Sequence, residues 1–382
     1  MKNQTLYQYL DPEDKKFIDD ISSLHHFTFQ QFRFLCEAGV DLAMWQEKSF
    51  KALWEEACNF NDFRDAYNKI KSGLKKYSKE SFQFPLKKNI NVVCDNSKKI
   101  FLGRCPAASE KTVCCNLHTL DVVEGCAFNC SYCSIDTFYG KNIVFNTDLS
   151  NIRLDKNKFY HIGTGQSSDA LYWGNKNGLL DNLCAFADAN PNILLELKTK
   201  SDNIFYFLQN KIPKNIVCSW TLNTPVIVEN EEHFTPSLEA RINAARQAAD
   251  QKIKVGFHFH PMVYYDNWEN DYLSIAEDLQ NKFNSDEIAF ISFGSVTFIK
   301  PAIKNLRKKK IKSKMLQMEM IKDPHGRSTY PDDIKIMMFR KIYSAFKLWH
   351  DKILFYLCME KKEIWDKVFE KKNFNNNFFN FF

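Results

Sequence analysis

The sequence predicts an α/β protein, a parallel sheet rolled into a full or partial barrel behind a helical N-terminal region. Three observations carry this. Residues 1 to about 90 have few Gly or Pro and space their apolar residues by three and four, as on Phe27, Phe32, Leu35, Leu42 and Trp45. From about residue 115 short β-branched runs alternate with longer helical ones. At 382 residues, 45% hydrophobic and 26% charged, the chain has the length and composition for a large buried core.

The predicted strands are Leu117–Val122, Phe159–Gly163, Ile193–Thr199, Ile216–Leu222, Val255–Pro261 and Glu287–Phe293, with Ile353–Met359 as a further candidate. Between them lie helical stretches at Ser168–Ala189, Asp202–Gln209, Ser237–Gln251 and Trp268–Phe283. Thr235-Pro236-Ser237 reads as a helix start. Strand-helix repetition of this kind favours a parallel sheet. Three parts follow: a helical region 1–90, a barrel 91–360 and a tail 361–382. The tail's low-complexity end, from Asn373, is assigned no function.

No apolar run approaches the ~18 residues needed to span a bilayer, and the first residues are too polar for a secretory signal. A cytoplasmic location without membrane contact is expected. The net charge of +6 permits nucleic-acid binding without requiring it. Residues 304–314 carry seven positive charges, read first as a solvated face and second as a phosphate-binding surface. His25 and His26 are expected to be surface or capping residues.

Of the twelve cysteines, Cys105, Cys114, Cys115, Cys126, Cys130 and Cys133 crowd into one stretch. In a reducing compartment such clustering suggests metal ligands rather than disulfides. Cys126, Cys130 and Cys133 form a Cys-x3-Cys-x2-Cys triad directly after the first predicted strand. Three thiolates can grip a [4Fe-4S] cube and leave one iron open. The amino and carboxylate groups of S-adenosylmethionine (SAM) can chelate that iron. Three buried core cysteines are a second reading, although Gly125, Asn129 and Ser131 suit a loop better than a packed helix. A zinc site is a third, with Cys105, Cys114 or Cys115 as the additional ligand.

Alternation along the strands puts Glu196, Lys198 and Lys200 on one face, and Ser219, Thr221 and Asn223 on another. Polar residues at the later ends of barrel strands lie where such folds place ligands. The stretch Gly163-Thr164-Gly165-Gln166-Ser167-Ser168-Asp169 offers close backbone approach and a helix cap. His258 and His260 share a strand face and are expected to be hydrogen-bonded inside the barrel rather than to bind a second metal.

With GCAFNCSYC, GTGQSSD, LELKTKS, SWTLN, TPSLEARINAA, VGFHFHP, NWE and FIKPA in this order, the chain resembles the spore photoproduct lyase branch of the radical SAM superfamily. The resemblance implies a partial (β/α)6 TIM-type barrel with Cys126, Cys130 and Cys133 holding a [4Fe-4S] cluster at its mouth. It places Ser167 and Ser168 beside the SAM pocket, Lys200 on the SAM carboxylate, and Thr221 and Asn223 near its ribose. It implies a reduced flavodoxin or ferredoxin as electron donor and cleavage of SAM to a 5'-deoxyadenosyl radical. In that family the radical opens a methylene-bridged thymine dimer in DNA.

Two positions depart from the family. Gln166 stands where its lyases carry a cysteine that returns a hydrogen atom to the product radical. Of two tyrosines flanking the third cluster cysteine, Tyr132 is present and Ser134 replaces the other. The hydrogen donor would then be another residue, such as Cys184, Tyr132 or a second tyrosine. These departures sustain a second reading, a radical SAM enzyme with a different substrate; the cysteine cluster near a basic run sustains a third, a non-catalytic metal-stabilised nucleic-acid-binding protein.

Overall fold

A computed structural model describes residues 2–77, 90–95, 100–105, 110–113, 115, 117–139 and 142–369. Cys114 and the tail from Asn373 lie outside the described residues. The N-terminal region is helical as expected, with α1 (Pro12–His25), α2 (Phe29–Trp45), α3 (Phe50–Ala57) and α4 (Phe60–Ser72). Each of the last three opens on a side-chain cap. Thr28 and Gln31 form a capping box, Ser49 accepts from Ala52 N–H, and Asn59 accepts from Asn61 and Asp62 N–H. The predicted apolar face of α2 is buried at Phe32, Leu35, Leu42 and Trp45, while Phe27 packs just ahead of the helix. His26 adopts the left-handed conformation that ends α1, and His25 stacks on Phe27.

Seven parallel strands form the main sheet among the described residues: β1 (His118–Thr119), β2 (Tyr160–Thr164), β3 (Ile193–Thr199), β4 (Ile216–Leu222), β5 (Lys254–Met262), β6 (Ile288–Ser295) and β7 (Leu354–Leu357). They neighbour one another in chain order, and Gly103–Arg104 adds an antiparallel edge beside β1. The outer layer holds α5 (Leu179–Ala189), α6 (Phe205–Gln209), α7 (Leu238–Asp250) and α8 (Trp268–Lys282). Further on come α9 (Lys300–Lys308), α10 (Asp332–Ala345) and α11 (Lys362–Val368). Ser237 caps α7 through Ala240 N–H, as its sequence suggests. No helix of the described residues is long and apolar enough to cross a membrane.

Several predicted elements are shorter than the sequence suggests, among them the helix over Asp202–Gln209, which begins at Phe205, and the strand over Ile353–Met359, which spans Leu354–Leu357; two more have a clear backbone cause. The helix expected over Ser168–Ala189 begins only at Leu179. Gly174, Asn177 and Gly178 all take positive φ, which breaks a right-handed helix ahead of that point. The first strand spans two residues, because the backbone beyond Leu120 turns to lay the cysteine loop across the barrel end.

The helical region is fastened to the barrel by charge as well as by packing. Asp41, fully buried on α2, receives Arg307 Nε and Nη2 at 2.8 and 2.7 Å and Tyr67 Oη at 2.6 Å. Glu37 takes the third guanidinium nitrogen at 3.2 Å. The basic run is therefore engaged in part: beside Arg307, Lys309 donates to Asn129 Oδ1 at 3.0 Å and Lys314 pairs with Glu47, while Lys304 and Lys310 are exposed. Replacing Arg307 by Ala would strand the Asp41 charge in the interior at a cost of about 3–5 kcal/mol. Urea unfolding followed by tryptophan fluorescence, to which Trp45 stacked on Tyr67 contributes, should show that loss as a lowered midpoint.

Candidate active site

The triad sits on the loop after β1, at the C-terminal end of the parallel strands. Gly125 makes the first bend with φ of +87°; a Cβ there would come within 3.1 Å of Asn142 O. Its N–H donates to Ser167 O at 3.0 Å, and Ser167 Oγ donates back to Val123 O at 2.7 Å. These two bonds staple the cysteine loop to the GTGQSSD loop after β2. On its other side the loop forms a short antiparallel ladder, Asn129–Cys130 against Glu232–His233, with Ser131 N–H donating to Glu231 O at 2.8 Å.

Cys130 is buried, and Cys126 and Cys133 are half-buried. Burial pushes the Cys130 thiol up to about 12, with Lys200 pulling the other way. Burial also raises Cys126, and the charges of Cys133, Asp169 and Cys130 add to it. The three sulfurs thus feel one another, Cys126 and Cys130 in a desolvated space, so as thiolates they call for a cationic centre among them. An iron–sulfur cube meets that need. Cys105 donates its N–H to Leu117 O at the opposite end of β1, and Cys115 lies near Tyr356. The structure gives neither a place as a fourth zinc ligand beside the triad.

Asp169 locks the second loop to the end of β3. Its carboxylate accepts from Leu171 and Tyr172 N–H at 3.1 and 2.9 Å, from Thr199 Oγ1 at 2.7 Å and from Lys200 N–H at 2.6 Å. Lys200 is thereby aimed at the triad, its Nζ 5.7 Å from the Tyr132 ring centroid. Ser168 is buried and its hydroxyl has no protein partner; Gln166 Oε1 is likewise buried and unpaired. A buried hydroxyl in that state is a ready contact for a bound ligand.

Tyr132 Oη donates to Glu232, which forms an ion pair with Arg241 at 2.6 Å, both carboxylate and guanidinium fully buried. Arg241 also donates to Thr221 O at 3.0 Å, tying the end of β4 into the set. Asn223 is fully engaged: its amide donates to Glu232 and Pro261 O, and its carbonyl accepts from Tyr272 Oη and Thr224 N–H. Its contribution is to fix this corner of the site. Glu232 and Arg241 were not singled out from the sequence. The stretch NEEHFTPSLEAR offers two adjacent acids close to an arginine, but only the fold buries that pair together.

Deeper in the barrel lies a polar layer. Glu196 accepts from His161 Nε2 at 2.8 Å, His258 Nε2 at 2.7 Å and Ser219 Oγ at 2.7 Å. A carboxylate can only accept, so His258 carries its proton on Nε2 and its bare Nδ1 accepts from Ser292 Oγ at 2.6 Å. Ser292 in turn accepts from His260 Nε2 at 3.0 Å. Both histidines are hydrogen-bonded in the barrel interior, in line with their shared strand face.

Burial opposes ionisation of Glu196, but His258 and His161 outweigh it and hold the carboxyl well below its usual range. Burial, reinforced by Lys198, lowers His258 to about 4. An unfolded histidine titrates near ~6.5, so unfolding takes up a proton between those values. Stability is present above pH ~6.5 and is lost as pH falls toward 4, by roughly 2–3 kcal/mol over that window. Urea midpoints measured from pH 7.5 to 4.5 should decline accordingly, and His258→Asn should flatten the slope.

The sequence pattern of the family described as spore photoproduct lyase matches residues 110–332. A spore photoproduct lyase from Clostridium acetobutylicum is 26% identical over 183 residues, covering 45% of this chain and 54% of that protein. One from a Geobacillus species is 22% identical over 210 residues, covering 52% and 62%. The chain thus spans little more than half the length of these relatives. Among solved structures, a spore photoproduct lyase double mutant with bound AdoMet (S-adenosylmethionine) and dinucleoside spore photoproduct superposes with a TM-score of 0.58 at 17% identity. That match covers 70% of this chain and 81% of the other. A single mutant with the dinucleoside photoproduct gives 0.59 at 17%, covering 70% and 82%. The fold is the partial barrel of those enzymes, and this chain belongs to the spore photoproduct lyase family.

Proposed function

We propose that this chain is a radical SAM lyase that repairs the spore photoproduct, with a [4Fe-4S] cluster on Cys126, Cys130 and Cys133. The observation that carries this reading is the meeting of the cysteine triad, with Cys126 and Cys130 desolvated, with Lys200 and the loop of the unpaired Ser168 hydroxyl. When bound, the cluster and SAM would supply a 5'-deoxyadenosyl radical by one-electron cleavage. A flavodoxin or ferredoxin is the proposed electron donor, DNA carrying the lesion the substrate, and the cytoplasm the location. The helical region 1–90, the barrel 91–360 and the tail 361–382 are the proposed parts.

Each residue has a defined task in this scheme. Lys200, held by Asp169 and lying over Tyr132, offers its ammonium to the SAM carboxylate. Ser167 keeps the loop staple while Ser168 presents a free hydroxyl. Thr221 and Asn223 wall the ribose side, and the Glu232–Arg241 pair fixes their backbone and side chain. Tyr132 is oriented by Glu232 and is the catalytic residue assigned to this loop. The barrel wall excludes water from the reactive centre.

Gln166 in place of the family's donor cysteine supports a second reading, the same chemistry on another substrate. Anaerobically reconstituted protein given SAM, reductant and the dinucleotide photoproduct should form 5'-deoxyadenosine and thymine dinucleotide. Formation of 5'-deoxyadenosine alone would favour the second reading. About four irons per chain is expected; one zinc without iron would sink both in favour of a nucleic-acid-binding protein. Cys130→Ala should lose cluster iron and SAM cleavage together. Lys200→Ala should retain iron but raise KM for SAM roughly tenfold, the scale of one charge-assisted contact.

A further inference from the structure

Sulfur reaches the barrel lumen at one further place among the described residues. β6 and β7 run parallel with Ser292 opposite Tyr356. Ser292 points inward, because its hydroxyl meets His258 and His260. Tyr356 does the same: it is buried, shares a hydrogen bond with Ser292 and feels the charge of Glu196. Side chains two apart on a strand share a face; β7 ends at Leu357, and its alternation carried one residue further puts Cys358 on the lumen side, one layer nearer the mouth. Its N–H donates to Phe293 O at 2.8 Å, so the pairing of β6 with β7 carries through to it.

That register sets Cys358 level with Gly294, whose missing side chain leaves room for the His260 ring; a Cβ there would lie 3.1 Å from Nε2. Cys358 is half-buried. The chain entering β1 closes on the same place. Val113 N–H donates to Glu360 O at 2.9 Å, and the Cys115 charge reaches Tyr356. Two thiols and a phenol therefore share the seam between the approach to β1 and the exit from β7. The other barrel cysteines face elsewhere: Cys184 on α5 interacts with Tyr206 and with Cys218 of β4, on the helix side of the sheet. Cys184 is thus not placed as a donor to the lumen.

We propose that Cys358 is the hydrogen-atom donor that quenches the carbon radical left on the substrate. This rests on the radical lyase reading above. An S–H bond is weak enough to yield its hydrogen atom to an allylic carbon radical, whereas the amide N–H of Gln166 and the hydroxyl of Ser134 are not. In the step the S–H bond breaks, a C–H bond forms on the product, and a thiyl radical remains on Cys358. The thiyl takes a hydrogen atom from the Tyr356 hydroxyl, which restores the thiol and leaves a neutral phenoxyl radical. One electron from the low-potential reductant that serves the cluster, and one proton from solvent, restore the phenol.

The test uses the reconstituted full chain in D2O with SAM, dithionite and dinucleotide photoproduct. Wild type should place a single deuterium in the repaired thymine. Cys358→Ala and Cys358→Ser should keep their iron and still form 5'-deoxyadenosine, while repaired product falls roughly tenfold or more. Cys115→Ala should repair with the deuterium retained. The assignment is overturned if Cys358→Ala repairs at the wild-type rate with deuterium, or if Cys115→Ala is the variant that loses it. Should wild type form 5'-deoxyadenosine without any repair, the substrate reading falls and this assignment with it. Iron content and 5'-deoxyadenosine in the variants separate a lost donor from a misfolded protein.

Discussion

At the corner of the barrel where the cysteine loop crosses β4, Glu232 and Arg241 face each other at 2.6 Å with no access to solvent. Two charges removed from water are costly unless their remaining donors and acceptors are met. Here they are met by groups the site needs held still. Arg241 donates to Thr221 O, Pro236 O and Thr235 Oγ1; Glu232 receives Tyr132 and Asn223. The strand carrying Glu232 also pairs with Cys130. One ion pair therefore couples the middle cysteine of the triad, the tyrosine two residues on and the end of β4. None of these can shift without exposing a buried charge to an unmatched environment.

The lumen is organised in two layers by the same economy of polar groups. In the lower layer Glu196, its two histidine donors, Ser219 and Ser292 satisfy one another and form a rigid floor. A half-satisfied layer would be worse than an apolar one, so the set stands or falls together. In the upper layer Gly294 carries no side chain, and the His260 ring covers it. The floor gives rigidity, and the mouth keeps the polar and sulfur-bearing groups: Lys198, His260 and Cys358 follow the floor residues Glu196, His258 and Tyr356 by two positions each.

The helical region joins this arrangement through a second buried acid. Glu231, adjacent to Glu232, accepts from Ser313 Oγ, Lys314 N–H and Tyr77 Oη. Its backbone carbonyl holds Ser131 in the cysteine loop. Lys75, fully buried nearby and lowered to about 7 by burial, donates to Tyr330 Oη and Tyr264 O. Segments far apart in sequence thus meet behind the triad, and Arg307 and Lys314 of the basic run fasten helices to barrel.

The sequence by itself determined the α/β alternation, the faces of the strands and the cysteine triad, because each is written in local periodicity or short spacing. Apolar spacing located the strands within a few residues, and the two-residue alternation of LELKTK set Glu196 and Lys200 toward the lumen. Short-range rules could not foresee the helix delayed to Leu179, where left-handed residues interrupt an otherwise helical pattern. Only the tertiary structure decided which charges meet. Asp41 with Arg307, Glu232 with Arg241, and Cys358 with Tyr356 and Cys115 depend on strand order and register. Buried polar groups find partners across the sheet, at separations on which sequence spacing is silent.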